Sequence, residues 1–175
     1  KIFQLNRQRM DRQTVLELIN KGESSRVEFK SSLRWDVRQG KVNKQLELIT
    51  AKTIAGFMNT EGGKLLMGVD DGGTILGLQQ DFDTLKKPDS DGFEQYLMQL
   101  IAQKLGTHLC TLVNVAFFGF GQKQVCCIEI LPAQMPVYVT LEGRSRFYIR
   151  TGNATRELDL PEALVYIGKE KAQCN

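Results

Sequence analysis

The sequence predicts an α+β domain built on a mixed, largely antiparallel sheet with flanking helices, and three observations carry that expectation. Apolar residues recur at helical spacing in several separated windows. Short alternating or apolar runs bounded by glycine turns fall between those windows, and the two kinds of element do not alternate strictly. At 175 residues, with 42% hydrophobic and 25% charged side chains, the chain has the length and composition of one ordinary soluble domain.

Residues 1–12 carry Arg7, Arg9 and Arg12 with little apolar periodicity and read as a basic arm. Thr14-x-x-Glu17 has the form of a capping box ahead of Val15, Leu16, Leu18 and Ile19, and Gly22 stands where a helix would stop, so a helix is expected over about 13–21. Ser25, Val27 and Phe29 alternate with Arg26, Glu28 and Lys30, the pattern of a half-buried strand. From Ser31 to Lys44 the chain is polar, holds Arg34, Trp35, Arg38 and Lys41, and reads as an exposed basic loop. Leu46, Ile49, Thr53 and Phe57 follow helical spacing up to Asn59, and Thr60 to Gly63 turns the chain.

Lys64 to Val69 is an apolar strand, Asp70 to Gly73 a hairpin-type turn, and Thr74 to Leu78 a returning strand. Phe93, Tyr96, Leu97, Leu100, Ile101 and Leu105 mark an amphipathic helix that begins near Asp89 and closes at Gly106. Strands over 111–118 and 124–131 are joined at Gly119 to Gly121, and two more, 137–140 and 146–150, flank Glu142-Gly143. Pro161 to Lys171 opens with proline near N1 and forms a last helix, so one domain covers 13–171, with a tail over 172–175.

The longest apolar runs, such as Val125 to Leu131, are too short to cross a bilayer, and no signal peptide opens the chain, so a cytoplasmic protein without a membrane partner is expected. A first residue of Lys1 rather than Met suggests fused domains in a longer protein. Cys110, Cys126, Cys127 and Cys174 lack the spread of a disulfide framework and read as reduced thiols. A net charge of +3 is only mildly basic, so any polyanion site must be a local patch.

Glu23, Glu28 and Asp71, with Lys30 beside Glu28 on one strand face, are candidates for a single site. A hard cation such as Mg²⁺ or Mn²⁺ needs a few carboxylate oxygens plus waters, and can activate water at a phosphodiester. On pattern alone, the plainer account is that Glu28 pairs with a basic neighbour and Asp71 fills a turn that favours Asp-Gly. The runs ESSRVEFK (23–30), IAGFMNTEGG (54–63), MGVDD (67–71) and FYIRTGNATR (147–156), in this order and at these intervals, resemble the signature of the Schlafen AlbA_2 family over about residues 14–168. The resemblance implies an intracellular nucleic-acid-binding fold.

In ribonuclease-active Schlafens a metal-dependent carboxylate triad cuts transfer RNA and other structured RNA. Its three acids fall on Glu23, Glu28 and Asp71, and Lys30 would offset negative charge. Vertebrate Schlafens join two such lobes in a horseshoe, whereas one lobe is present here, and a homodimer would supply the second. The alternatives are a non-catalytic DNA-binding module of a regulator or defence protein, and a dimerising scaffold.

A nucleotide-binding phosphate loop fails directly, because the G-x-x-x-x-G-K-[ST] pattern would place glycine at Met58 and a hydroxyl at Leu65. His108, Cys110, Cys126 and Cys127 are zinc-ligand types. A hairpin turning at Gly119 to Gly121 would oppose Cys126 to Asn114 and leave Cys110 roughly 13 Å along the strand, so zinc is not expected. Two basic groups remain as phosphate contacts: Arg34, Arg38, Lys41, Lys44 and Lys52, then Arg144, Arg146, Arg150 and Arg156. Arg150 to Arg156, with Gly152 and Asn153, has the composition of an anion-binding nest. Trp35 would stack on a base or pack.

Overall fold

The computed structural model describes residues 10–173, with side chains to 169. The expected arm residues Arg7 and Arg9, and Cys174 in the tail, lie outside the described residues. The fold is α+β, as expected, and it stacks in layers around one central helix.

The first helix, α1 (Arg12–Lys21), starts on Asp11, not on the Thr14 box: Asp11 accepts the Thr14 backbone N–H at 2.8 Å and the Thr14 hydroxyl at 2.9 Å. Arg12 therefore belongs to the helix rather than to an arm. Strand β1 (Val27–Lys30) follows, then a small hairpin of β2 (Trp35–Asp36) and β3 (Lys41–Val42) where a loop was expected. Helix α2 (Lys44–Met58) is capped by Asn43 and is buried on most of its surface, because sheets lie on both sides of it.

Strand β4 (Gly63–Met67) enters beside α2 at very close range. A Cβ on Gly62 would lie 2.4 Å from the Ile130 carbonyl oxygen, and one on Gly63 2.4 Å from the Phe57 ring, so this turn accepts no side chain. The four-stranded sheet has the order β1-β4-β6-β5, with β5 (Val113–Phe120) and β6 (Lys123–Ile130). Only β1 and β4 run parallel. With β1 on one edge and β6 on the other, β4 has no free side. The expected returning strand over 74–78 is thereby reduced to a single bridge, Val69 to Ile75, although the Asp70–Gly73 turn forms.

Between these strands lie α3 (Gln79–Asp83), α4 (Ser90–Lys104) and a short 3₁₀ helix over Thr107–Leu112. One face of the sheet, with Leu65, Met67, Cys126 and Ile128, packs on α2 and α4; the other, with Phe29, Leu66, Val125 and Cys127, packs on Val15 and Ile19 of α1. A second sheet of β7 (Tyr138–Leu141), β8 (Arg144–Thr151) and β9 (Ala154–Leu158) covers the far side of α2. Helix α5 (Leu160–Gln173) closes its outer face on Phe147 and Ile149. Among the described residues no helix is long and apolar enough to cross a membrane.

Candidate nucleic-acid interface

Strand β1 alternates as expected: Val27 and Phe29 enter the α1 core, and Glu28 and Lys30 face the opposite way. That opposite face meets β8. Both Glu28 carboxylate oxygens are engaged there, one accepting from the Lys30 ammonium and the other from Arg150 Nη1 at 2.9 Å. Arg150 arrives on β8, its side chain 2% exposed, with its guanidinium 4.7 Å from the centre of the Phe57 ring. Its Nη1 also donates to the Thr155 hydroxyl at 3.1 Å and its Nη2 to the Ser24 carbonyl at 2.9 Å.

Glu23 spends one carboxylate oxygen on the Phe29 backbone N–H, at 2.8 Å. Asp71 is exposed in its turn, where Asp70 makes the turn's bonds by accepting from the N–H groups of Gly72 and Thr74. Among the described residues, no three His, Cys, Asp or Glu side chains are grouped so as to hold a metal ion. Glu23, Glu28 and Asp71 thus do not stand as a ready three-carboxylate set: the Glu28 oxygens face Lys30 and Arg150, and Asp71 is exposed in the turn after β4. Gly62-Gly63 serves the close approach of α2 and β4.

Several residues expected to touch phosphate are structural. Arg150 is buried, as above. The run from Arg150 to Arg156 is a two-residue hairpin turn at Gly152-Asn153, with Thr151 paired to Ala154 and Arg150 to Thr155, so the expected nest gives way to strand pairing. Arg34 is largely buried, its Nε 3.1 Å from Glu47 and its guanidinium 4.7 Å from the centre of the Tyr96 ring. Arg146 binds Glu157 at 2.7 Å, which raises its pKa. Tyr148, whose hydroxyl donates to the same Glu157, is pushed up to about 12, first by burial and then by that carboxylate. Lys52 lies over the Tyr148 ring.

The remaining cations are open to solvent. Arg38 and Lys41 stand on the β2–β3 hairpin, Lys44 at the start of α2, Arg144 at the start of β8, and Arg156 with Asn153 at the β8–β9 end. None of Lys41, Lys44, Arg144 and Arg156 forms an ion pair with a described acid. Lys44 and Lys104 line one cleft of about 390 Å³ with Leu141, and Leu141 pairs with Arg144 across the β7–β8 turn. Lys44 and Lys104 thus share one cleft at the N-terminal end of α2, with exposed Lys41 three residues before Lys44, whereas Arg144 lines a separate cleft with Arg146, Glu157 and Glu162. Arg156 pairs with Ile149, which faces α5, and so sits on the other face of its sheet from Arg146 and Arg150.

The hairpin that carries Arg38 and Lys41 is pinned from beneath by a residue the sequence did not mark. Asp81, 1% exposed, accepts the backbone N–H groups of Leu33, Arg34 and Trp35 at 2.9, 2.9 and 3.0 Å. Burial pushes its carboxyl up, against the lowering pull of those three donors. Asp36 closes the hairpin, accepting from Asn43 and from the N–H groups of Gln39 and Arg38, and these bonds hold its carboxyl below the usual range. The five residues of α3, Gln79–Asp83, give no amphipathic signal, so the role of Asp81 was hidden.

The cysteines fall three positions from the expected register. The hairpin turns at Gly121-Gln122, Cys126 faces Phe117, and Cys127 faces Ala116. Both are buried, on opposite faces of β6, while Cys110 bonds the Met98 carbonyl and His108 is exposed. Burial pushes the Cys127 thiol up to about 12 and that of Cys126 well above its ordinary value.

No curated protein matches the chain. A solved structure, that of the DIP2311 protein from Corynebacterium diphtheriae, shares the fold at a TM-score of 0.60 and 21% identity. The match covers 85% of this chain and 27% of that one, so the domain spans about a quarter of that protein's length. Residues 23–159, from the first of the three acids to the end of the second sheet, match the family described as Schlafen, AlbA_2, and the chain belongs to this family of nucleic-acid-related domains.

Proposed function

We propose that the chain is a nucleic-acid-binding domain that holds the phosphate backbone with Arg38, Lys41, Lys44 and Lys104, without cutting it. The carrying observation is the cleft that Lys44 and Lys104 share at the N-terminal end of α2, next in the chain to exposed Lys41, with no described acid in an ion pair with any of the three. Such cations contact phosphates and release counterions whatever the base sequence, so binding is salt-sensitive and sequence-tolerant. Family membership supports the ligand class. RNA and DNA remain equal candidates, and transfer RNA is the structured substrate to try first.

The metal-dependent endoribonuclease reading needs a free carboxylate set, and Glu28 lends it none. The test is fluorescence anisotropy with transfer RNA, single-stranded and duplex DNA at several salt concentrations, beside a cleavage gel with Mn²⁺ or EDTA. Lys41→Ala with Lys44→Ala is expected to weaken binding to every probe and flatten the duplex salt slope by up to about 2 units. Binding that ignores salt, or that is unchanged in this variant, would sink the proposal; metal-dependent cutting lost in Glu28→Gln would restore the nuclease.

A further inference from the structure

The oxygens around Arg150 make a donor set of an unexpected kind. A carboxylate (Glu28), a main-chain carbonyl (Ser24) and a hydroxyl (Thr155) converge on one guanidinium at 2.9 to 3.1 Å. Carboxylate, carbonyl and hydroxyl oxygens are also what a hard divalent ion takes, and the guanidinium supplies a positive charge at the same place. The cation is not a surface side chain folded inward by chance: it is 2% exposed, it stacks on Phe57, and it comes from a strand 122 residues away in sequence. Lys30 neutralises the other Glu28 oxygen. Two cations thus face one buried carboxylate, and a third, carried by a metal, would meet repulsion instead of free oxygens.

We infer that Arg150 is the resident cation of this carboxylate site, built in by the chain where a divalent ion would otherwise bind. Two consequences follow from the geometry. The wild-type protein has no use for Mg²⁺ or Mn²⁺ at Glu28, so its stability is the same in EDTA as in Mn²⁺ at constant ionic strength. Removing the guanidinium leaves Glu28, the Ser24 carbonyl and the Thr155 hydroxyl around a small vacancy, which is a cation site with its cation removed.

The experiment titrates Mn²⁺ alone into the protein by calorimetry and follows the melting temperature in Mn²⁺ and in EDTA. Wild type and Glu28→Gln should both show no saturable Mn²⁺ uptake below the millimolar range and no Mn²⁺-dependent shift in melting temperature, although Glu28→Gln melts lower for loss of its ion pairs. Arg150→Ala should melt lower than wild type in EDTA and regain part of the loss in Mn²⁺, with affinity at least about tenfold above wild type. The gain should vanish in Arg150→Ala with Glu28→Gln. Stoichiometric Mn²⁺ uptake by wild type that Glu28→Gln abolishes would overturn the inference, and so would a folded Arg150→Ala protein indifferent to the ion. If Arg150→Ala does not fold, the comparison of wild type with Glu28→Gln decides alone. None of these readouts requires nucleic acid, so they stand or fall apart from the binding proposal.

Discussion

Asn59 ends α2 and does much more than end it. Its side-chain amide donates to the carbonyls of Val137 and Tyr148, and its oxygen accepts the Val137 N–H, all at 2.8 Å. One amide thereby ties the central helix to β8 and to the residue just before β7. Three satisfied bonds of this sort are worth more in the breaking than in the making, since three partly buried backbone groups lose their partners together. Asn59→Ala is expected to cost about 2 to 4 kcal/mol. Urea denaturation checks it: the midpoint should fall while the slope stays constant, because the surface exposed on unfolding is unchanged. Asn59→Asp, which can accept from Val137 but not donate to two carbonyls, should be nearly as damaging.

At the scale of elements, the β2–β3 hairpin shows how a binding loop is held without a core of its own. Asp81 gathers three consecutive N–H groups at its base, so an ordered buried carboxylate positions Arg38 and Lys41. Asp81→Asn replaces one accepting oxygen with a donor and should destabilise the fold by about 1 to 3 kcal/mol. The pH dependence has a definite sign. Because burial raises the folded pKa above 3.8, the contribution of this group is fully present below 3.8 and is lost as pH rises through the folded value. Lowering the pH from neutral to that window should therefore widen the gap between wild type and Asp81→Asn. Paired denaturation curves between about pH 4 and 7 measure it, and a constant gap would contradict the raised pKa.

The elements also show where sequence reading succeeds. Local signals placed α1, α2, β4, α4, the β5–β6 hairpin and α5 within a few residues, since periodicity and glycine turns are properties of short windows. The second sheet was legible only in part. Ala154 to Leu158 has too many polar residues to read as a strand, and it becomes one by pairing with β8. Most of the site was not legible, because its defining contacts are distant. Nothing near Glu28 announces Arg150, and a charged motif reads the same whether it faces solvent or a buried partner.

Across the whole molecule, β6 is the strand on which both principal cores lean. Cys126 points into the α2–α4 core and Cys127 into the α1 core, side by side in sequence and on opposite faces of the sheet. Burial pushes the Cys127 thiol up to about 12, so it stays a thiol at pH 8 even before access is considered. Neither thiol should react with a disulfide reagent in the native protein. Both should react together, at a rate that follows global unfolding, because opening either face means removing a helix layer. Mass spectrometry of alkylated protein in rising urea would show the pair labelled in one step; early labelling of Cys127 alone would mean that α1 detaches first.

The contact between Glu28 and Arg150 joins the first strand of the domain to the last strand pair. A ribosome delivers the carboxylate long before it delivers the guanidinium, and until then Glu28 has only Lys30 to offset its charge. The four-stranded sheet can be complete at Ile130 while one face of α2 still waits for its cover. Nascent chains released before residue 150 should therefore remain open and protease-sensitive, and the finished domain closes as its final hairpin docks.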